Sequence, residues 1–483
     1  MLAHQGVDAI AAIHDRMPLR REQRLHPGLD PERADNPSRI GRGRSEHHGL
    51  PPHRCAEPPQ LGLGRRRAHH VDALVVGHDG DDSRGGTRLD HRIRLPRTDR
   101  HWQGAPMTIA PPPVPTLTDG DVVLRALGEQ DVEGCYEQCI DPLSVRWTTV
   151  PTPFTHQDAR EFCLEIAPGA WADGSQWIFA VDSEGRYAGN IALRDEGLGR
   201  AEIAYGSHPA VRGTGAMEKA LRMLIDWGFA AMGVRTVIWR ANVGNWASRK
   251  LAWRLGFTLD GILRQSQNHR GDLVDAWVGT LLVTDQREPK GRWLSAPPVD
   301  GETVRLRPLT DADVPRIVEA CSDERTQHWL GQMPTPYGAD DARAWMHLNT
   351  EGQARGAKVT WAVTRPARDH DDLLLGAINI FDISDIDCEI GYWAHPDARG
   401  RGLTTAAMRL ATAYAFEHLG VRRVRAFAAL ENAASRHVIE SVGLTQTGIE
   451  RLGTTLRTGP ADLALYDVLV EEWTARSSAS EVR

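Results

Sequence analysis

The sequence predicts an α/β (α+β) protein made of one domain used twice in tandem, each copy a mixed, mostly antiparallel sheet flanked by helices. Two stretches of the 483-residue chain repeat one another at a fixed spacing of 187 residues. Each copy shows three consecutive strand patterns in its middle, which a doubly wound parallel sheet would separate with helices. Each then crosses from strand to helix through a glycine-rich turn.

The repeat is specific. Ala201-Glu202-Ile203-Ala204-Tyr205, His208-Pro209 and Arg212-Gly213-Thr214-Gly215 return as Cys388-Glu389-Ile390-Gly391-Tyr392, His395-Pro396 and Arg399-Gly400-Arg401-Gly402. Asn245, Ser248 and Gly256 match Asn432, Ser435 and Gly443 at the same offset. Each copy opens on an apolar-alternating strand, 122–125 or 304–307. In the second, Thr310-Asp311-Ala312-Asp313 is a helix-start signal. Pro151-Thr152-Pro153-Phe154 and Pro334-Thr335-Pro336-Tyr337 lead into helices over 157–166 and 339–350. Strands follow at 177–181 and 361–364, then at 189–193 and 376–380. The Glu-bearing strand, the turn and a long helix (217–232 or 404–419) come next. A strand, a helix and a last strand pair close each copy. This places the domains at 121–286 and 303–475. The linker is 287–302, rich in Pro and Gly and short enough to hold the copies together.

Residues 1–106 do not read as a domain. They hold 18 Arg, no Lys, Phe or Tyr, and 11 of the chain's 20 His, without a sustained apolar period. A disordered extension, a metal site at His47-His48 and His69-His70, and a start placed too early, with Met107 as the true first residue, are the three readings; the last is favoured. The stretch carries a net +4, which leaves −11 for the remainder, a poor nucleic-acid surface. No apolar run reaches the ~18 residues that a membrane span needs. The N-terminus has no signal pattern. Of six Cys, only Cys135 and Cys139 are close neighbours, so reduced thiols in a cytoplasm and no metal are expected.

Arg-Gly-x-Gly between a strand and a helix suits an anion. Glycines permit a tight turn and close approach, and the N–H groups of the first helical turn face the ligand. A pyrophosphate is the natural guest. With its flanking Glu strand and Asn-x-x-Ser helix start, the pattern resembles the GNAT acetyltransferase superfamily. The first copy supplies Arg212, Gly215, Asn245, Ser248 and Gly256-Phe257; the second supplies Arg399, Gly402, Asn432, Ser435 and Gly443-Leu444. Within that family it looks most like the ribosomal-protein N-terminal acetyltransferases. The resemblance implies acetyl-CoA as co-substrate, its pyrophosphate on the turn and its pantetheine arm between two splayed strands. The residues it marks for the donor are Arg212, Gly213, Thr214, Gly215 and Asn245, and Arg399, Gly400, Arg401, Gly402, Leu403, Thr404, Thr405 and Asn432.

Acetyl transfer to an amine needs a proton acceptor for the amine, a donor to the tetrahedral oxyanion and a proton for the departing thiolate. Glu202 and Glu389 can take the first proton, or can be cross-strand charge pairs on a solvated face. The tyrosine that many relatives place seven residues after the motif Asn is missing: those positions hold Ala252 and Ile439. Ser248 and Ser435 are the substitute acids, or are hydrogen-bonding residues of a helix N-terminus. Cys388 has no activating His in the pattern, so direct transfer without a covalent intermediate is expected.

The copies differ at the turn. Met217 and Thr404 depart from the family's last Gly/Ala. Glu218 aligns with Thr405 and puts a carboxylate where a pyrophosphate would sit, a repulsion of about 4 kcal/mol at ~4 Å and an effective dielectric near 20 before rotation relieves it. The second copy is therefore expected to bind acetyl-CoA and the first to bind weakly or not at all. The acidic repeat region favours a cationic amine acceptor, a peptide N-terminus or a small molecule. A small-molecule acetyltransferase of antibiotic-resistance type and a non-catalytic acyl-CoA-binding regulator are the rival readings.

Overall fold

The computed structural model describes residues 113–366 and 372–481; the three readings of residues 1–106 lie outside them. The first sheet comprises β1 (Leu117–Asp119), β2 (Val122–Arg125), β3 (Gln176–Ser183), β4 (Arg186–Gly197), β5 (Arg200–Ser207), β6 (Thr236–Asn242), β7 (Thr258–His269) and β8 (Asp272–Leu282), in the order β1-β2-β3-β4-β5-β6-β8-β7. The second comprises β9 (Val299–Asp300), β10 (Arg305–Arg307), β11 (Lys358–Thr364), β12 (Gly376–Phe381), β13 (Asp387–Ala394), β14 (Arg423–Ala429), β15 (Thr445–Leu456) and β16 (Gly459–Leu469), in the equivalent order. Only β5 with β6 and β13 with β14 run parallel; every other pairing is antiparallel. The expected architecture is therefore the observed one.

Strand alternation decides which face each sheet buries. Leu124, Val181, Phe179, Ile191, Leu193 and Ile203 line one face of the first sheet. Helix α5 (Ala216–Ala231) covers it with Met217, Ala220, Leu221, Leu224 and Ile225, which share one helical stripe. In the second sheet, Val359, Trp361, Ile378, Ile380 and Ile390 meet Leu403, Ala407, Met408 and Ala411 of α10 (Leu403–Tyr414). Each crossover helix therefore starts at the end of the Glu-bearing strand, and its first turn sits where its sheet's parallel pair opens.

The smaller helices are α1 (Val132–Ile140), α2 (Pro142–Trp147), α3 (His156–Glu161), α4 (Ala167–Asp173) and α6 (Trp246–Arg254) in the first repeat. The second adds α7 (Val314–Ser322), α8 (Glu324–Trp329), α9 (Ala339–Ala354), α11 (Ala433–Val442) and α12 (Val470–Glu481). The Thr310 start signal is a true cap: Asp313 accepts from the Thr310 N–H at 2.8 Å and also holds Arg307. The helix expected over 157–166 runs on to Asp173 through a widened turn at Phe162–Ile166. Pro168, which lacks an N–H, follows that turn. The Thr310 signal leads into α7 as expected, whereas strand β1 and helices α1, α2 and α8 carry no strong sequence periodicity and were not anticipated.

The repeats meet through α6 and α9. Arg249 of α6 is buried between the Trp246 and Trp277 rings, 5.3 and 4.7 Å from their centroids, and both its terminal nitrogens bond Glu351 of α9. Trp246 packs on His347, and Trp253 on Trp293 of the connecting segment. Burial by itself would raise the Glu351 pKa, but Arg249 and Arg355 hold it below the usual carboxylate range. The pair therefore stabilises the fold at neutral pH, and its contribution falls away as the pH drops through that lowered pKa. Replacing Arg249 by Met should cost about 1–3 kcal/mol, because it leaves the half-buried Glu351 with only the more exposed Arg355 as partner. Urea unfolding at pH 7 followed by Trp fluorescence measures this, and the deficit should shrink in acid.

Candidate active site

In both turns the glycines are required by backbone conformation. Gly213 and Gly215 have φ of 83° and 90°, and Gly400 and Gly402 both have 71°, a region costly for residues with a Cβ. A Cβ at any of the four would meet nothing within 4 Å, so the space above each turn is open. The motif arginines do not face that space freely. Arg212 donates to Asp141 at 2.6 Å and to Ser144, and Arg399 donates to Asp323 and to Thr326 at 2.7 Å. Asp141 and Asp323 are the N-caps of α2 and α8 and are held below the ordinary carboxylate range by these arginines. Each arginine thus ties its turn to a neighbouring helix.

Beyond that shared frame the turns diverge. Thr214 donates to the Val211 carbonyl at 2.8 Å and accepts from the Ala216 N–H at 3.3 Å, so one N–H of the first cradle is already used. Its counterpart, Arg401, is exposed and makes no hydrogen bond or ion pair among the described residues. Glu218 is paired with Arg222 at 2.9 Å and Arg254 at 3.6 Å, so its charge is offset and the repulsion expected from it is largely cancelled. In the second turn Leu403, Thr404 and Thr405 occupy the helix start, where four N–H groups lack intrahelical partners. The residues of the second turn fit the pyrophosphate of acetyl-CoA: open space, free N–H groups and an unpaired cation.

The strands part as a pantetheine slot would require. The β13–β14 pairing lasts three residues, ending at Glu389 with Arg425, and the β5–β6 pairing ends at Ile203 with Trp239. At this apex the copies hold opposite residues on adjacent strands. In the first, Trp239 faces Gly279; in the second, Ala426 faces Tyr466. The Trp239 ring is only 2% exposed, and its indole N–H lies 3.2 Å from the Tyr205 hydroxyl and 3.1 Å from Ser248 Oγ. It thus crosses the opening between β5 and α6. Tyr466 instead turns to Arg436 and Glu440, at 2.8 and 2.9 Å, and leaves the second apex with an alanine.

Asn245 and Asn432 are N-caps: each Oδ1 accepts from the N–H of Ser248 or Ser435, at 3.2 and 3.1 Å. The serine hydroxyls meet a residue that sequence reasoning left without a role. Tyr205 lies 2.7 Å from Ser248 Oγ, and Tyr392 lies 3.0 Å from Ser435 Oγ. Burial pushes the Tyr392 phenol up to about 12, so it stays protonated at neutral pH. The helix tyrosine absent from both copies is thus replaced, as a phenol beside the serine, by one from the Glu-bearing strand. Its only signal was its place in the repeated Glu-Ile-x-Tyr.

The two glutamates have opposite surroundings. Glu202 lies 3.3 Å from Arg240 and 3.9 Å from Arg194, its cross-strand partner. It is a charge pair, as the alternative reading held. At the corresponding positions of the second sheet stand Phe427 and Phe381, the latter directly paired with Glu389. Burial raises the Glu389 pKa to about 7, with Arg425 opposing that rise and Asp382 adding to it. Asp387, 3.4 Å from Arg425, and Lys358, 5.6 Å from the Phe381 ring, add further charge on this side, and burial lowers the Lys358 pKa. A carboxyl that titrates near 7 is matched to taking a proton from an amine at neutral pH.

Two separate segments, 121–258 and 303–445, match the model of the GNAT acetyltransferase domain family, and together they make up more than half of the chain. The chain belongs to the GNAT family, as a tandem of two such domains, and is an N-acetyltransferase. It is similar to "Putative ribosomal N-acetyltransferase YdaF" of Bacillus subtilis, 31% identical over 176 residues that span 36% of this chain and 94% of that protein. It is 25% identical to "Uncharacterized N-acetyltransferase p20" of Bacillus licheniformis over 171 residues, 35% of this chain and 96% of that one. Among solved structures, a GNAT-family acetyltransferase from Bacillus anthracis is 22% identical with a TM-score of 0.32, over 36% of this chain and 99% of its own. Family membership makes acetyl-CoA the donor and an amine the acceptor. Among the described residues no cluster of His, Cys, Asp and Glu is arranged to hold a metal, and no helix is long and apolar enough to cross a membrane.

Exchanging Phe381 for Arg, the residue at the equivalent position of the first domain, should move the acidic limb of the kcat/KM profile below its expected position near pH 7. An unmoved limb would show that Glu389 is not the group titrating there.

Proposed function

We propose that the second domain is the working N-acetyltransferase and that the first is a degenerate copy that buttresses it. The observation that carries this is the contrast between Glu389, half-buried beside Phe381 with no ion pair among the described residues, and Glu202, ion-paired with Arg240. Acetyl-CoA supplies an activated acetyl thioester. The backbone N–H groups of residues 402–405 and the free Arg401 side chain would hold its phosphates, with Gly400 and Gly402 giving the turn its shape. Glu389 takes the amine proton, directly or through one water. Ser435, held by Tyr392 and by the Asn432 cap, presents its hydroxyl to the departing sulfur. In the first domain the same hydroxyl is shared with the Trp239 indole, and the start of α6 is covered by α9.

The acceptor we favour is a protein N-terminus. Its support is the likeness to a relative named as a ribosomal N-acetyltransferase, together with the acidic charge of the repeat region. The rival small-molecule acceptor is separated by assaying unblocked peptides against spermidine and an aminoglycoside.

Calorimetric titration of acetyl-CoA into the full chain should give one site. Gly402→Val should abolish it, because a β-branched residue cannot hold that backbone, and Gly215→Val should leave it intact. Two sites, or loss in the Gly215 variant, would overturn the division of labour. Glu389→Gln should lower kcat about 10²–10⁴-fold while the donor Kd moves less than about twofold. Binding without transfer to any amine would make the protein an acyl-CoA binder.

A further inference from the structure

The second sheet carries a polar row that the first lacks, on the face that presents Glu389. Cross-strand register sets Thr360 of β11, Asn379 of β12 and Gly391 of β13 side by side. Asn379 is two residues from Phe381, the direct partner of Glu389, so Asn379 and Glu389 are diagonal neighbours on one face, within about 8 Å. The Asn379 Oδ1 is buried and has no hydrogen-bond partner among the described residues. Thr360 cannot supply one, since its hydroxyl donates to Asn349 Oδ1 at 3.0 Å. Gly391 has no side chain, and the Phe381 ring leans over that position, since a Cβ there would lie 3.0 Å from it. In the first sheet the same row is Ile178, Ala192 and Ala204, packed as an apolar cluster. The asparagine thus appears in the domain whose glutamate is not ion-paired.

A buried acceptor left unmade costs about 1–3 kcal/mol, so such a group signals a donor that arrives from elsewhere. We infer that Asn379 is a specificity-determining residue that accepts a hydrogen bond from the acceptor amine and so selects primary over secondary amines. The inference rests on the second domain being the active one. A neutral primary amine has two N–H groups. One bonds Asn379 Oδ1, the other points at the Glu389 carboxylate, and the lone pair is left to attack the acetyl carbonyl. As the C–N bond forms and the C–S bond breaks, Glu389 takes the second amine proton and Ser435 gives its hydroxyl proton to the departing sulfur; the proton on Glu389 then returns to Ser435 through water, so amine and thioester become amide and thiol. A neutral secondary amine has one N–H and must leave one of the two oxygens unpaired.

The test uses the full chain, acetyl-CoA and unblocked hexapeptides that differ only in an N-terminal Ala, Ser or Pro, with thiol release as the readout. The wild type should prefer Ala or Ser over Pro by at least about tenfold in kcat/KM, which one unpaired buried acceptor would produce. Asn379→Ala should lose about 10–100-fold on the Ala peptide and much less on the Pro peptide, with the acetyl-CoA Kd unchanged by calorimetry. Asn379→Asp keeps an oxygen in the same place and should recover most of the loss at pH 9, where both carboxylates are ionised. A purely structural asparagine would lower both peptides alike and would not be rescued. An active wild type whose Asn379→Ala variant keeps full rate and full discrimination overturns this inference alone. A wild type that acetylates no amine while binding acetyl-CoA overturns the functional reading and this inference with it.

Discussion

The structure turns on one short parallel strand pair inside an otherwise antiparallel sheet. A parallel pair cannot be joined by a hairpin, so the chain must leave the sheet, form a helix and return. That crossover places the first turn of α10 at the end of β13, with its unpaired N–H groups above the point where β13 and β14 separate. Two glycines in the left-handed region make the corner, and Arg399 pins it to the cap of α8. The open glycine turn, the gap between the strands and the glutamate at the apex all follow from that one departure from antiparallel pairing.

Because the frame is shared, the differences between the domains stand out as exchanges at fixed register. Arg194 and Arg240 against Phe381 and Phe427 change what surrounds a glutamate that both domains keep. Trp239 with Gly279 against Ala426 with Tyr466 moves one large ring across a strand pair without changing how many rings the core holds. Such paired exchanges are tolerated because a core constrains summed volume more than identity. They also fill the first apex and clear the second. The junction runs the same way: Arg249 and Trp246 of the first domain, on the helix that carries Ser248, are spent on α9 of the second.

Much of this was legible in the residues. The repeat, the strand order around the turn and the glycine corner are local patterns with fixed spacings, and they survived intact. The missed helices α1, α2 and α8 are short, and tertiary packing rather than periodicity stabilises them. The role of Glu218 was misjudged because Arg222 lies one helical turn away but Arg254 comes from α6, a contact that the linear order does not contain. Tyr392 was visible as a repeated letter and invisible as a partner of Ser435, 43 residues on.

Two copies, a turn through glycines from strand to helix in each, and a Glu and a Ser at matched positions can all be read along the chain. These depend on backbone conformation and short-range spacing, which a linear pattern records. Folding sets which Glu lies half-buried beside Phe381 and which is ion-paired, and which apex an indole fills. It also sets an unpartnered asparagine oxygen diagonally across the sheet from the half-buried Glu389. Those depend on cross-strand neighbours brought together by sheet register, and the charge state of a buried group is set by everything within a few ångströms of it, wherever it falls in the chain.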